Sequence, residues 1–71
     1  MSAAKKIGKR IRFVRDTRGM SQAVLAEKAG IGRMTVIDIE GGKVDPRIGT
    51  VESIAGGLGV PLLSLVMDEI G

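Results

Sequence analysis

The sequence predicts an all-α fold of five helices, and three observations agree on this. No segment shows the sustained alternation of apolar and polar residues that is typical of a half-buried strand. Apolar residues recur instead at three- and four-residue spacing, which places them on one face of a helix. Glycine and proline divide the 71 residues into five segments. We therefore expect one compact domain over residues 1–71.

The first predicted helix covers residues 5–18 and ends at Gly19. Its inward face carries three apolar residues at i, i+4, i+7 spacing, which are Ile7, Ile11 and Val14. The second helix is predicted over residues 22–29, where the hydroxyl of Ser21 can accept a hydrogen bond from an exposed amide of the first turn. Its inward residues are Leu25, Ala26 and Ala29.

Residues 33–40 are predicted to form the third helix, which is closed by the glycine pair that follows. Asp45 as the cap and Pro46 in the first turn are expected to begin the fourth helix. Its buried face is predicted to carry Ile48, Val51, Ile54, Ala55 and Leu58. A fifth helix is predicted over residues 61–70, beginning at the second proline.

Several classes of function are made improbable by what the composition lacks. The sequence has no cysteine and no histidine, so it offers no disulfide, no thiolate metal site and no imidazole base. We therefore expect no enzyme, no metal, no cofactor and no small-molecule ligand. The first ten residues lack the apolar region of a signal peptide, and no apolar run is long enough to span a membrane. A cytoplasmic location follows as an expectation.

The net charge of +3 is distributed unevenly along the chain. Residues 1–18 contain seven Lys and Arg side chains against the single acid Asp16, whereas residues 44–71 contain one cation and four acids. A basic region of this kind indicates a polyanionic partner on one side of the molecule. The alternative is a solvated helix that is merely rich in cations.

The stretch QAVLAEKAGIGRMTVIDIEG, residues 22–41, has the features of two short helices joined by a tight turn. Ala26 provides the small side chain that a close helix crossing requires, and Gly30 tolerates the positive φ of the turn. Apolar contacts can come from both helices, through Leu25, Ile31, Val36 and Ile39. The agreement of these requirements is more specific than any single residue.

This pattern resembles the helix-turn-helix of the phage Cro and repressor family, also called the XRE-like family. The resemblance covers about residues 7–66 and is carried mainly by MSQAVLAEKAGI, TVIDIEGGK and SIAGGLGV. It implies a five-helix, lambda-repressor-like domain that binds operator DNA, usually as a twofold dimer. It also implies that the helix over residues 33–40 lies in the major groove and that Gln22 contacts DNA.

An ion pair between Glu40 and Arg15 is implied by the same resemblance. The local pattern supports it, because Glu40 follows the buried Ile39 and a half-buried carboxylate needs a partner. The first helix is rich in cations that could supply one. The alternative is a solvated glutamate at a helix end.

The outward face of the third helix is predicted to contact bases through Arg33, Met34, Ile37 and Asp38. Arg33 could bind guanine, the two apolar side chains could pack on thymine methyls, and Asp38 could accept from a cytosine amino group. Alternatively, Met34 and Ile37 pack against protein, and the charge of Asp38 weakens non-specific binding. Related proteins often carry polar or basic residues at these positions.

Contacts to the DNA backbone are predicted for four residues: Gln22, Thr35, Lys43 and Arg47. Gln22 begins a helix, where free amides and the helix dipole favour an anion. Thr35 can donate from its hydroxyl, and the two cations flank the loop that follows the third helix. For each of them the alternative is an ordinary solvated surface residue.

A dimer surface is predicted on the fifth helix, residues 61–70, because it carries two apolar stripes. One stripe can cover the core, and the second consists of Leu63, Met67 and Ile70. A twofold homodimer is an economical use of the second stripe. Alternatively, the C-terminal end folds back, or more chain normally follows Gly71.

The sequence thus predicts a DNA-binding transcriptional regulator, most simply a repressor, that binds double-stranded DNA as a homodimer. It would act in the cytoplasm, on the nucleoid, encoded by a bacterium or a phage. One alternative is a DNA-binding antitoxin, in which the second apolar stripe binds a toxin. Another is a protein–protein adaptor that has kept the fold and lost DNA binding.

Overall fold

The computed structural model of the protein describes residues 2–67, which form five helices and no strand. The first three helices are α1 (Ala3–Thr17), α2 (Gln22–Ala29) and α3 (Arg33–Glu40). The remaining two are α4 (Ile48–Leu58) and α5 (Leu63–Val66). The predicted all-α class is confirmed, and the bounds of α2 and α3 are those predicted.

Helices α1 and α2 both begin at a serine cap. The backbone amide of Lys5 donates to Ser2 Oγ over 3.2 Å, so α1 begins two residues before the predicted start of residues 5–18. At α2, the Val24 amide donates to Ser21 Oγ over 3.1 Å. Each hydroxyl satisfies one of the amides that the first helical turn leaves without an intrahelical partner.

The turn between α2 and α3 depends on Gly30, which has a φ of 68° in the left-handed region. The amide of Ile31 donates back to the Ala26 carbonyl over 3.0 Å, closing the end of α2. Residues with a Cβ rarely adopt this conformation, so glycine is the residue that the turn requires.

The start of α4 differs from the prediction. Asp45 and Pro46 both lie outside the helix, which begins at Ile48 after an extended Arg47 that provides no side-chain cap. Ile48 is 60% exposed and does not belong to the buried face. It is the first helical residue, so no preceding turn of α4 covers it.

Helix α5 is much shorter than the predicted helix over residues 61–70. Pro61 and Leu62 form a turn closed by i→i+3 hydrogen bonds from Ser64 and Leu65, in place of a first α-helical turn. Met67 has an extended backbone, with a ψ of 129°, and ends the helix. The remainder of the predicted segment lies outside the described residues.

The core contains the inward faces of all five helices. Its largest fully buried side chains are Ile11, Leu25, Val36, Ile39, Val51, Ile54 and Leu65. Helix α3 packs against both α1 and α2, while α2 also packs against α4. Each buried aliphatic side chain of this size contributes about 1.5–3 kcal/mol relative to an exposed one, so α3 is anchored from its inner face.

Gly8 allows the backbones of α1 and α3 to approach each other closely. A Cβ at this position would overlap the carbonyl oxygen of Ile39 and would lie 2.9 Å from that of Glu40. These obstacles are backbone atoms, which cannot move aside as a flexible side chain can. The requirement for glycine therefore arises from tertiary packing and not from the local helix.

Arg15 and Glu40 join α1 to α3 through a two-point ion pair. Arg15 Nε donates to Glu40 Oε2 over 2.7 Å, and Arg15 Nη2 donates to Glu40 Oε1 over 2.9 Å. Arg15 Nη1 donates to the carbonyl oxygen of Met20 over 2.8 Å, just before α2. The Arg15 side chain is 11% exposed and the Glu40 side chain 4%, so water screens the pair only weakly.

The pKa of Arg15 is raised, first by its hydrogen bonds to Glu40. Burial opposes this shift, while the negative charges of Glu40 and Asp16 add to it. A raised pKa contributes stability that is present below the unfolded value and is lost only as the pH rises above it. The unfolded value already lies far above neutral pH, so the contribution of Arg15 is constant throughout the neutral range.

We expect Glu40→Ala to lower the free energy of unfolding by about 3–5 kcal/mol, because it leaves the Arg15 guanidinium buried without its partner. Urea denaturation followed by circular dichroism measures this difference. The matched control is Arg15→Met combined with Glu40→Leu, which removes both charges and should retain most of the stability. A loss below about 0.5 kcal/mol for Glu40→Ala would show that the pair contributes little.

Gly56 and Gly57 are adjacent in α4 but differ in their surroundings. A Cβ at Gly56 would meet no atom within 4 Å. A Cβ at Gly57 would lie 3.2 Å from the backbone nitrogen of Ala29 and 3.3 Å from Leu25 Cδ1. Gly57 therefore sets the closeness of α4 to α2, whereas Gly56 faces open space.

We expect Gly56→Ala to raise the melting temperature and Gly57→Ala to lower it. Alanine gains up to about 1 kcal/mol over glycine inside a helix, which is several degrees for a domain of this size. At Gly57 the new methyl group must push against the backbone of α2. Differential scanning calorimetry of the two variants makes the comparison, and equal shifts would contradict the close α2–α4 packing.

Candidate nucleic-acid interface

The outer side of α3 is accessible to a partner, while its inner side is buried. Arg33 and Thr35 are exposed, and Met34 is 64% exposed. Val36 and Ile39, on the inner side, are fully buried in the core. The start of α3 therefore offers a cation, a hydroxyl and an apolar thioether to a surface outside the molecule.

Ile37 and Asp38 are more sheltered than the other predicted base contacts. Both are half-buried. Ile37 is nevertheless not one of the half-buried apolar residues that pack against the core. It lies one turn after Arg33, as Asp38 lies one turn after Met34, so the two pairs continue along the same side of the helix.

Gln22 lies beside the ion pair at the start of α2. It is half-buried, and its Nε2 donates to Glu40 Oε1 over 3.2 Å. The same carboxylate oxygen accepts from Arg15 Nη2. Three helices thus meet at one carboxylate, which is on the last residue of α3.

The other residues predicted to contact the DNA backbone are on or next to α3. Lys43 and Arg47 are exposed in the loop between α3 and α4. The backbone amide of Lys43 donates to the carbonyl oxygen of Asp38 over 3.0 Å, which holds the start of this loop against the end of α3. Thr35 therefore lies on the helix that carries the predicted base contacts, and Lys43 and Arg47 lie in the loop that follows it.

A second exposed surface lies where α1 and α5 meet. Leu63 is 60% exposed, Met67 is 51% exposed, and the third predicted member, Ile70, lies outside the described residues. Phe13 is 69% exposed on α1. An open groove of about 510 Å³ connects the two helices and is lined by Lys9, Arg10, Phe13, Val14, Ser64 and Met67.

Two contacts near the C-terminal end of α3 were not predicted from the sequence. One is the backbone contact at Gly8, whose only sequence signal is its position between Ala4 and Ile11 on the buried face of α1. The other is the hydrogen bond between Gln22 and Glu40. No spacing along the chain indicates it, because the two residues meet only when α2 and α3 are folded together.

Within residues 2–67, no helix combines the length and apolar character needed to cross a bilayer. The same part of the chain contains no group of three or more acidic residues arranged to hold a metal ion.

The sequence is similar to those of known phage regulators. The helix-turn-helix family matches residues 11–65. The immunity repressor protein of Bacillus phage phi105 is 38% identical over 63 residues, which cover 89% of this chain and 44% of the phage protein. The cryptic phage CTXphi transcriptional repressor RstR of Vibrio cholerae is 37% identical over 60 residues, covering 84% of this chain and 54% of that protein. The chain thus spans about half the length of both relatives.

The fold is similar to that of solved regulators. The restriction–modification controller protein C.AhdI from Aeromonas hydrophila superposes with a TM-score of 0.85 at 29% identity, covering 87% of this chain and 94% of that one. Together with the family match over residues 11–65, this similarity identifies the family. The chain belongs to the helix-turn-helix family of XRE-type DNA-binding transcriptional regulators, and not to a family of enzymes.

Proposed function

We propose that this protein is a transcriptional repressor that binds a two-part operator as a homodimer. The observation that carries the proposal is the division of α3 into a buried inner side and an exposed outer side bearing Arg33 and Met34. A helix of this kind fits a major groove only if its outer side chains are accessible and its inner side is fixed. The phage repressors that resemble this chain support the direction of regulation.

Base reading is assigned to Arg33, Met34, Ile37 and Asp38 in this proposal. Arg33 would donate two hydrogen bonds to a guanine, and Met34 would pack on a thymine methyl. Ile37 and Asp38 are half-buried, so in this proposal they would contribute from the edge of the reading surface. We therefore assign most of the discrimination between bases to the first turn of α3.

Phosphate contacts are assigned to Gln22, Thr35, Lys43 and Arg47. They would set the position and orientation of the protein on the duplex and would carry no sequence information. Residues 22–41 would act as the docking unit, with the loop that follows α3 extending it. The protein would act in the cytoplasm of a bacterium, on its own chromosome or on that of a phage.

The twofold contact is assigned to Leu63 and Met67, next to the groove that contains Phe13. Exposed apolar side chains of this size, grouped on one side of a small protein, favour burial against a second copy. Two α3 helices would then face successive major grooves about one helical turn apart. An antitoxin would use the same apolar surface for a toxin, and an adaptor would use it for another protein.

Selection of bound fragments from a random DNA pool tests the function. We expect a consensus with twofold symmetry, and affinity for it should fall steeply between about 50 and 200 mM salt. Binding to a protein partner through an apolar surface would respond little to salt. Failure to enrich any sequence would reject the repressor in favour of the adaptor.

In the selected operator, Arg33→Ala should relax the preference at one base pair of each half-site, at a cost of about 1–3 kcal/mol. Competition binding to operators substituted at each position measures this. Arg47→Ala is the matched control, because the loss of a phosphate contact should weaken binding to all sequences alike. If the two variants lose affinity in the same uniform way, Arg33 binds phosphate and not a base.

Leu63→Glu should shift the protein from dimer to monomer, since it places a carboxylate in the proposed apolar contact. Sedimentation equilibrium of the purified variant measures the change. Ile48→Glu is the control, because Ile48 has the same 60% exposure but lies at the start of α4. A dimer that survives Leu63→Glu would place the twofold contact elsewhere.

A further inference from the structure

The orientation of the Gln22 carboxamide is determined by Glu40. An ionised carboxylate can only accept hydrogen bonds, so the amide nitrogen of Gln22, and not its oxygen, must face it. The distance from Gln22 Nε2 to Glu40 Oε1 is 3.2 Å. A free glutamine side chain has no such preference and presents either end of its amide to a partner.

The contact leaves one donor on Gln22 available. A carboxamide nitrogen carries two N–H groups, and Glu40 uses one of them. Gln22 is the first residue of α2 and is half-buried, so part of its side chain remains accessible. The free backbone amides and the positive end of the dipole at the start of a helix favour an anion there.

Arg15 makes it possible for a carboxylate to occupy this place. A carboxylate near a DNA phosphate would repel it, but Glu40 is bound through both oxygens to the Arg15 guanidinium. Charge neutralisation within the pair leaves the orienting hydrogen bond in place while reducing the repulsion. The three residues come from α1, α2 and α3, so the arrangement exists only in the folded protein.

We propose that Glu40 is a positioning residue for DNA binding, which holds Gln22 so that its second N–H donates to a phosphate oxygen. The inference rests on the proposed function, because it requires that the protein binds DNA. This positioning role differs from that of a purely structural ion pair, because the contribution of Gln22 to DNA affinity depends on Glu40. Preorientation lowers the loss of side-chain freedom on binding, which is the physical origin of the benefit.

A double-mutant cycle tests this dependence. Gln22→Ala is made in the wild-type protein and in the background Arg15→Met with Glu40→Leu, which removes the carboxylate without leaving a buried charge alone. Affinity for the selected operator is measured by fluorescence anisotropy at fixed salt. We expect Gln22→Ala to weaken binding about tenfold in the wild type and less than about twofold in the apolar background.

Arg47→Ala is the matched control, because Arg47 is exposed in the loop before α4 and has no part in the Arg15–Glu40–Gln22 cluster. It should weaken binding by the same factor in both backgrounds. Equal losses for Gln22→Ala in both backgrounds would overturn the positioning role and leave the proposed function intact. Failure of the wild-type protein to bind any DNA would overturn both.

A measurement on the wild-type protein keeps the proposal testable if the apolar background does not fold. In a ¹⁵N-correlated NMR spectrum, one side-chain N–H resonance of Gln22 should lie downfield of its position in a solvated glutamine, since that proton is hydrogen-bonded to Glu40. Addition of operator DNA should shift the other resonance. Two resonances at the positions of a solvated glutamine in the free protein, or no shift of either with DNA, would overturn the positioning role.

Discussion

The position of α3 depends on its attachment to α1 at two adjacent points. At one, the absence of a side chain on Gly8 lets the carbonyl oxygens of Ile39 and Glu40 lie against α1. At the other, Arg15 binds both oxygens of Glu40. Both points are near the C-terminal end of α3, while its inner side is buried in the core. Together they determine the direction in which the outer side of the helix faces.

This attachment links stability to recognition. A buried ion pair on its own is a weak source of net stability, because desolvation offsets much of the attraction. The pair between Arg15 and Glu40 has a further effect: Glu40 also accepts a hydrogen bond from Gln22 at the start of α2. The carboxylate that joins α1 to α3 therefore also contacts Gln22, which is proposed to bind the DNA backbone. A hydrophobic replacement of the ion pair would lose this contact.

The sequence predicted most accurately the helices whose ends are determined by capping and glycine residues close to them in the chain. Ser21 and Gly30 define α2, and the glycines around α3 define its bounds without reference to the rest of the fold. Asp45 and Pro46 gave an equally clear local signal, yet α4 begins later, at Ile48. The spacing of apolar residues also overestimated α5, since the same pattern continues whether or not the backbone remains helical.

The candidate site was predictable in its side-chain chemistry and less so in its contacts. The placement of Arg33 and Met34 on the outer side followed from helical spacing, because Val36 and Ile39 had to face inward. The pairing of Glu40 with Arg15 came from the family resemblance together with the burial of its neighbour. The contact at Gly8 and the orientation of Gln22 depend on how helices cross in three dimensions, which no spacing along one helix records.

The backbone contact at Gly8 also has an evolutionary consequence: because main-chain atoms form it, exchange of side chains on the outer surface leaves the tilt of α3 unchanged. Under the proposed function, divergent descendants can therefore acquire new target sites one residue at a time while inheriting a common angle of approach to the duplex.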